Sequence, residues 1–181
     1  MDKKYVSTGK PKVGGAVYHA PLTATLPTDA TTALSNDYVD AGYCSEDGLK
    51  EIGERTSNDI KEWGGQVVDS SSEKTDKYEV TLIESLNPEV LKIVHGSGNV
   101  EGTLEQGIHV KSNNSELDNE IYVVDMIMKN AVKRVVIPNG KVTGVAEVVY
   151  KRDEAVGYRV TITAYPDSNG DTHHEYIMAV S

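Results

Sequence analysis

Apolar and polar residues alternate along several short stretches of this chain, and a period of two predicts half-buried strands. In GYRVTITAY at 157–165, Tyr158, Val160, Ile162 and Ala164 fall on one face, and Arg159, Thr161, Thr163 and Tyr165 on the other. Residues 77–84 repeat the pattern, with Tyr78, Val80 and Leu82 set against Lys77, Glu79 and Thr81. Within 120–129, IYVVDMIMK is apolar on both faces apart from Asp125. That predicts a strand covered on two sides, or on one side with a neighbouring subunit on the other. Further strands are expected at 107–111, 132–137 and 141–150, the last two joined by a turn at Pro138-Asn139-Gly140. PDSNGD at 166–171 then turns the chain into a last strand within HHEYIMAV.

One stretch departs from the period of two. In NPEVLKIVHG at 87–96, Asn87 can cap a helix, Pro88 suits its first position and Glu89 complements its amino-terminal dipole. Val90, Leu91 and Val94 form an apolar stripe, and Gly96 supplies the stop. Two to three turns need a sheet to pack against. The elements together predict a mainly β fold, an antiparallel β-sandwich or open barrel with one packed α-helix, in a single domain over 1–181.

Two regions carry weaker patterns. Residues 1–34 hold Pro11, Pro21 and Pro27 among small residues and threonines, with a short strand expected within Val13–His19. Prolines at this density exclude a long helix or an unbroken central strand, so the segment reads as an arm. A strand at Tyr38–Tyr43 ends at Asp47-Gly48, and residues 44–76 are polar and charged. Inside them, Asn58–Glu62 and Gln66–Asp69 flank Trp63-Gly64-Gly65, the pattern of an extended hairpin.

Charge sharpens this picture. The chain of 181 residues carries a formal charge of −10, which argues against a nucleic-acid-binding footprint. Residues 40–76 hold ten acids against four bases, whereas residues 1–12 hold four lysines against one acid. Ile60, Trp63, Val67 and Val68 are apolar residues that a merely solvating acidic loop would not carry. Ten tyrosines, one tryptophan and no phenylalanine favour rims and interfaces, where a polar tip finds a partner. The start, MDKKYVSTGK, lacks the apolar run of a signal peptide, and no run reaches the ~18 apolar residues of a membrane span. Synthesis in a cytoplasm is the expectation.

Candidate chemistry is sparse. His173-His174, with Asp171 and Glu175, is the one metal-like cluster, but neighbours on a strand point to opposite faces. A solvated strand end is favoured there, with no metal and no cofactor expected. DSNGD lacks the spacing of a calcium loop, and GSGNVEG at 96–102 has no phosphate-loop lysine. Cys44, the single cysteine, has no partner to activate it and reads as a small packed residue. No nucleophile, base and metal set calls for an enzyme.

Several stretches, in order, resemble the major tail protein (tail tube protein) of long-tailed bacteriophages of Gram-positive hosts. They are GKPKVGGAVYHAPL with LPTDATTAL within 9–34, DAGYCSEDG at 40–48, DIKEWGGQVV at 59–68, TLIESLNPEVLKIVHG at 81–96, KRVVIPNGKVT at 133–143 and YKRDEAVGYRVTITAYPDSNG at 150–170. The resemblance implies a β-sandwich with a flanking helix, assembled as hexameric rings that stack into a tube in the virion tail. Tape measure and terminator proteins would be partners, and DNA would pass through the lumen without specific binding and without a membrane. It further implies an arm, 1–34, that orders across a neighbouring subunit, and a hairpin loop, about 44–76, that meets the adjacent ring. Lys10, Pro11, Tyr18, Pro21, Glu46, Asp47, Glu54, Ile60 and Trp63 are then the contact candidates. Glu79, Thr81, Arg159, Thr161 and Thr163 are the lumen candidates. The alternative is a monomeric β-sandwich module that binds a small ligand or metal ion, with His173, His174 and Asp171 as its polar cluster.

Overall fold

The computed structural model describes residues 5–12 and 16–180. In chain order its elements are β1 (Gly9–Pro11), β2 (Val17–Pro21), β3 (Val39–Asp40), β4 (Lys50–Lys61), β5 (Val67–Leu82), α1 (Pro88–His95), β6 (Val100–Thr103), β7 (Gly107–Val110), β8 (Glu120–Met128), β9 (Ala131–Val145), β10 (Tyr158–Ala164) and β11 (His174–Ala179). The main sheet runs β3-β2-β8-β9-β10-β5-β4, with β1 beside β8 and β11 beside β9. All its pairings are antiparallel, and it does not close into a barrel. β6 and β7 form a separate small hairpin.

The apolar alternation finds its physical reason in two cores, one on each face of the sheet. On one face Tyr78, Val80, Leu82, Tyr122, Val124, Val135, Ile137, Val160 and Ile162 pack with Val90, Leu91, Ile93 and Val94 of α1. On the other face Ile121, Val123 and Val136 meet Ala20, Ala24 and Tyr38, with Leu26 and Leu34 alongside. Strand β8 is therefore covered twice, which is why its sequence is apolar in both phases. Its second cover is the protein's own segment 20–38.

The helix forms as its sequence dictates. Asn87 accepts the Glu89 amide at 3.0 Å, and Gly96 closes the last turn with φ +91° and its N–H on the Lys92 carbonyl at 2.8 Å. Eight residues are marginal alone. Burial of its four apolar side chains, at about 1.5–3 kcal/mol each, holds it against the sheet.

Two expectations are corrected. Pro138-Asn139-Gly140 is not a turn: β9 continues through it as one strand of 15 residues. Its first part lies between β8 and β11, and its second part pairs with β10 along the edge that β11 has left. The register against β8 shifts at this point, between Glu120 and Tyr122, so Pro138 occupies an irregularity where a missing N–H is tolerated. The second correction concerns the arm. From Ala16 to Leu34 the segment folds on its own sheet: β2 pairs with β8, and Ala16, Val17, Ala20 and Ala24 are buried. Val13, also expected in a strand, lies outside the described residues together with 14 and 15.

Gly140 makes the bend possible. A Cβ there would lie 2.7 Å from the Tyr122 ring, 3.1 Å from Ile162 and 3.2 Å from Ile137, all three fully buried. Gly140→Ala is expected to cost about 1–3 kcal/mol through overpacking. A lower thermal midpoint with an unchanged far-UV circular dichroism spectrum is the outcome to look for; a midpoint equal to wild type would show that the bend relaxes freely.

Candidate assembly surfaces

The long hairpin dominates the surface. β4 and β5 pair in register from Lys50 with Glu79 out to Ile60 with Asp69, and a shift follows before Lys61 meets Val67. Only the root of β5, Asp76 to Leu82, has a second strand partner, β10. Beyond Asp76 the two strands pair with each other alone for about nine residues, roughly 30 Å of ribbon. Every residue from Gly53 to Val67 is exposed. Trp63 at the tip is fully exposed, and Ile60 and Val67 stand 63% and 54% exposed. Glu62 and Gly65 close the tip with a 2.8 Å backbone bond, and Gly65 has φ +87°. The apolar end of this ribbon has no partner strand among the described residues beyond its own two arms. Of the expected contact residues, Glu54, Ile60 and Trp63 all lie on it; Lys77 Nζ approaches the Glu54 carboxylate at 3.6 Å near its root.

The remaining contact candidates sit elsewhere. Lys10 and Pro11 are exposed on β1, and with Glu46 and Asp47 they line one cleft of about 320 Å³. The basic leader and the acidic loop thus face each other within one chain. Pro21 is exposed at the end of β2, whereas Tyr18 is half-buried, its phenol pKa raised by burial and then by Asp40 and Asp125. Lys3 and Lys4 lie outside the described residues.

Four lumen candidates share one face of the β5–β10 pair. Arg159 lies opposite Thr81, and Thr161 opposite Glu79, on the side away from Tyr78, Val80 and Ile162. Thr163 is on the same side but buried, its hydroxyl 2.7 Å from that of Thr143.

The histidines separate as strand geometry requires. His173 turns toward Asp76 and Glu51, at 3.3 and 3.7 Å, and His174 toward Asp167, at 3.7 Å. The cluster imagined around both imidazoles does not form. Asp167 instead holds its own turn, accepting the amides of Asn169 and Asp171 at 2.7 and 3.0 Å, which draws its pKa down. Burial, then Asp40 and Glu84, pushes the Cys44 thiol up to about 11, so it is a protonated packing group.

A family profile described as phage tail tube protein matches residues 11–180. The chain belongs to the phage tail tube protein family. No curated protein matches it. As a tail tube protein it is a structural component of the virion tail, and no helix among the described residues is long and apolar enough to cross a membrane.

What residue patterns alone did not single out in this tail tube protein is the clamp that holds its amino-terminal segment. Arg134 on β9, 1% exposed, donates from Nε and Nη2 to the two carboxylate oxygens of Asp125 on β8, at 2.6 and 2.8 Å. Its Nη1 donates to the carbonyls of Asp29 and Thr32, at 3.1 and 2.8 Å. The Asp29 carboxylate in turn takes the hydroxyl and amide of Thr32 and the amide of Thr31, which hold its pKa far below the usual carboxylate range. The signal was present as an acid inside the apolar run of β8 and a base that opens the apolar run of β9.

Arg134→Met leaves the Asp125 carboxylate buried without its guanidinium and frees both loop carbonyls. The expected loss is about 3–5 kcal/mol, read as a lower urea midpoint. Adding Asp125→Leu is expected to recover much of that loss, because both charges are then gone; a double variant no more stable than the single would contradict this account.

Proposed function

We propose that this tail tube protein assembles as hexameric rings that stack into a tube, with the β4–β5 hairpin as the element that reaches the adjacent ring. The observation that carries the reading is the hairpin itself. A ribbon of about 30 Å, paired to nothing beyond its root and ending in exposed Trp63, Ile60 and Val67, is costly unless a second subunit covers it. Membership of the tail tube family supports another copy of the chain as that partner. The exposed residues of β1, in the cleft shared with Glu46 and Asp47, and Pro21 at the end of β2 offer further contact surface. Tape measure and terminator proteins would meet the assembled tube, and the role is mechanical, with no reaction assigned.

In this assembly the Glu79–Thr81 and Arg159–Thr161 face lines the lumen, and DNA passes along it toward the host. Each copy contributes a formal charge of −10. The named face carries one acid and one base, so it has no net positive charge to hold phosphates, whereas a basic wall would gather them and slow their passage.

Trp63→Ala combined with Ile60→Ser tests the hairpin without touching either core. In negative-stain electron microscopy and light scattering, wild type is expected to form rings and tubes, and the variant separate rings or protomers with unchanged circular dichroism. Trp63 is the only tryptophan, so its emission should shift to the blue as wild type assembles. Tubes of normal length from the variant would exclude the hairpin as the stacking contact. For the lumen, Glu79→Lys with Thr161→Lys should slow DNA ejection, most strongly at low salt. Equal ejection rates across salt concentrations would remove these residues from the wall.

A further inference from the structure

The root of the hairpin carries a group of side chains that neither the packing nor the assembly reading uses. Glu51 on β4, His173 just before β11 and Glu175 on β11 each offer a ligand atom, and these atoms lie within 4.8 Å of one another. Three separate parts of the chain bring them together: β4 and β5 by pairing Glu51 with Tyr78, and β11 by pairing Glu175 with Val135 of β9.

The imidazole is oriented as a metal-bound histidine usually is. Its Nδ1 faces the buried Asp76 carboxylate at 3.3 Å, which leaves Nε2 toward Glu51 at 3.7 Å. A carboxylate behind one ring nitrogen fixes the tautomer and raises the basicity of the other. Asp76 is itself held. Lys74 Nζ lies 2.7 Å from its carboxylate, and Thr172 donates its hydroxyl to it. Thr172 Oγ1 also lies 3.4 Å from His173 Nδ1. Glu175 accepts Lys133 on Oε1 at 2.5 Å, so the second oxygen is the one left for another partner.

A second observation, independent of the acidic residues, points to the same place. Tyr78 is fully buried, and its hydroxyl has no hydrogen-bond partner among the described residues. Its ring meets that of His173 edge-on, with centroids 5.7 Å apart. Tyr78 also lies directly opposite Glu51 in the β4–β5 register, so its side chain shares a face with that carboxylate. A buried hydroxyl without a partner is costly, and a hydrated cation brings water within its reach.

We infer that Glu51, His173 and Glu175 bind one divalent cation of the zinc class at the root of the hairpin, with Asp76 orienting His173 and the Tyr78 hydroxyl facing the bound ion's water. One imidazole with two carboxylates suits zinc and its first-row neighbours, whereas magnesium and calcium favour all-oxygen sites. The cation ties β4 to β11 and so stabilises the folded chain in proportion to its occupancy. The site belongs to the single chain and does not rest on the assembly reading.

The test is a calorimetric titration of zinc into the full-length protein after treatment with chelator. One equivalent is expected to bind to wild type and to raise the thermal midpoint. Glu51→Gln and Glu175→Gln, both at exposed positions, should weaken binding by about tenfold or more while leaving circular dichroism unchanged. His174→Ala should bind as wild type, because His174 belongs to the separate Asp167 turn. Cobalt in place of zinc should give visible ligand-field absorption that Glu51→Gln diminishes. The inference is overturned if zinc does not saturate at one equivalent, if both glutamine variants bind as wild type, or if His174→Ala is the variant that loses the ion.

Discussion

A single guanidinium organises the amino-terminal half of this protein. Arg134 is buried between a sheet strand and the loop that covers it, and each of its hydrogen bonds reaches a different piece of backbone or the one buried acid opposite. A buried charge persists only where its donors are matched, so the loop 29–32 must present carbonyls at that point and the β8–β9 register must place Asp125 there. The pair thus selects one register of the two central strands and one path for the covering segment. A slip by one residue would put Asp125 on the other face and leave both charges unmatched. The second apolar cluster, from Ala20 to Val136, lies under the same covering segment.

Much of this architecture was legible in the sequence wherever one period ran uninterrupted. The inner end of β5, β10, the helix with its cap and stop, and the last strand stand where alternation or capping residues place them, whereas β5 runs on unbroken to Val67. The double-sided apolarity of β8 predicted a cover on each face. Its nature was harder to read, because a proline-broken segment looks the same whether it lies on its own sheet or on a neighbour's. Pro138-Asn139-Gly140 misled for a related reason. Turn residues also occur inside a strand where neighbouring side chains leave no room for a Cβ, and only the depth of Tyr122 and Ile162 around Gly140 separates the cases.

The surfaces divide along the same line. The exposure of Ile60 and Trp63 was legible because apolar side chains in an acidic, glycine-marked stretch conflict with their surroundings. The grouping of Glu51, His173 and Glu175 could not, since their approach depends on β4, β5 and β11 meeting far apart in sequence. The two adjacent histidines drew attention to one another, yet the pleat sends them to different neighbours.

The hairpin has one further property. Because its outer strands pair only with each other, a matched pair of residues can be inserted or removed on the two arms without disturbing either core. Each such step changes the reach by about 3.4 Å and turns the tip to the other face, so two steps together restore its facing. The domain fixes where the ribbon begins, while its length is a separate, heritable dimension. Divergence among related chains can therefore adjust the spacing and choice of neighbour at this ribbon without remodelling the fold that carries it.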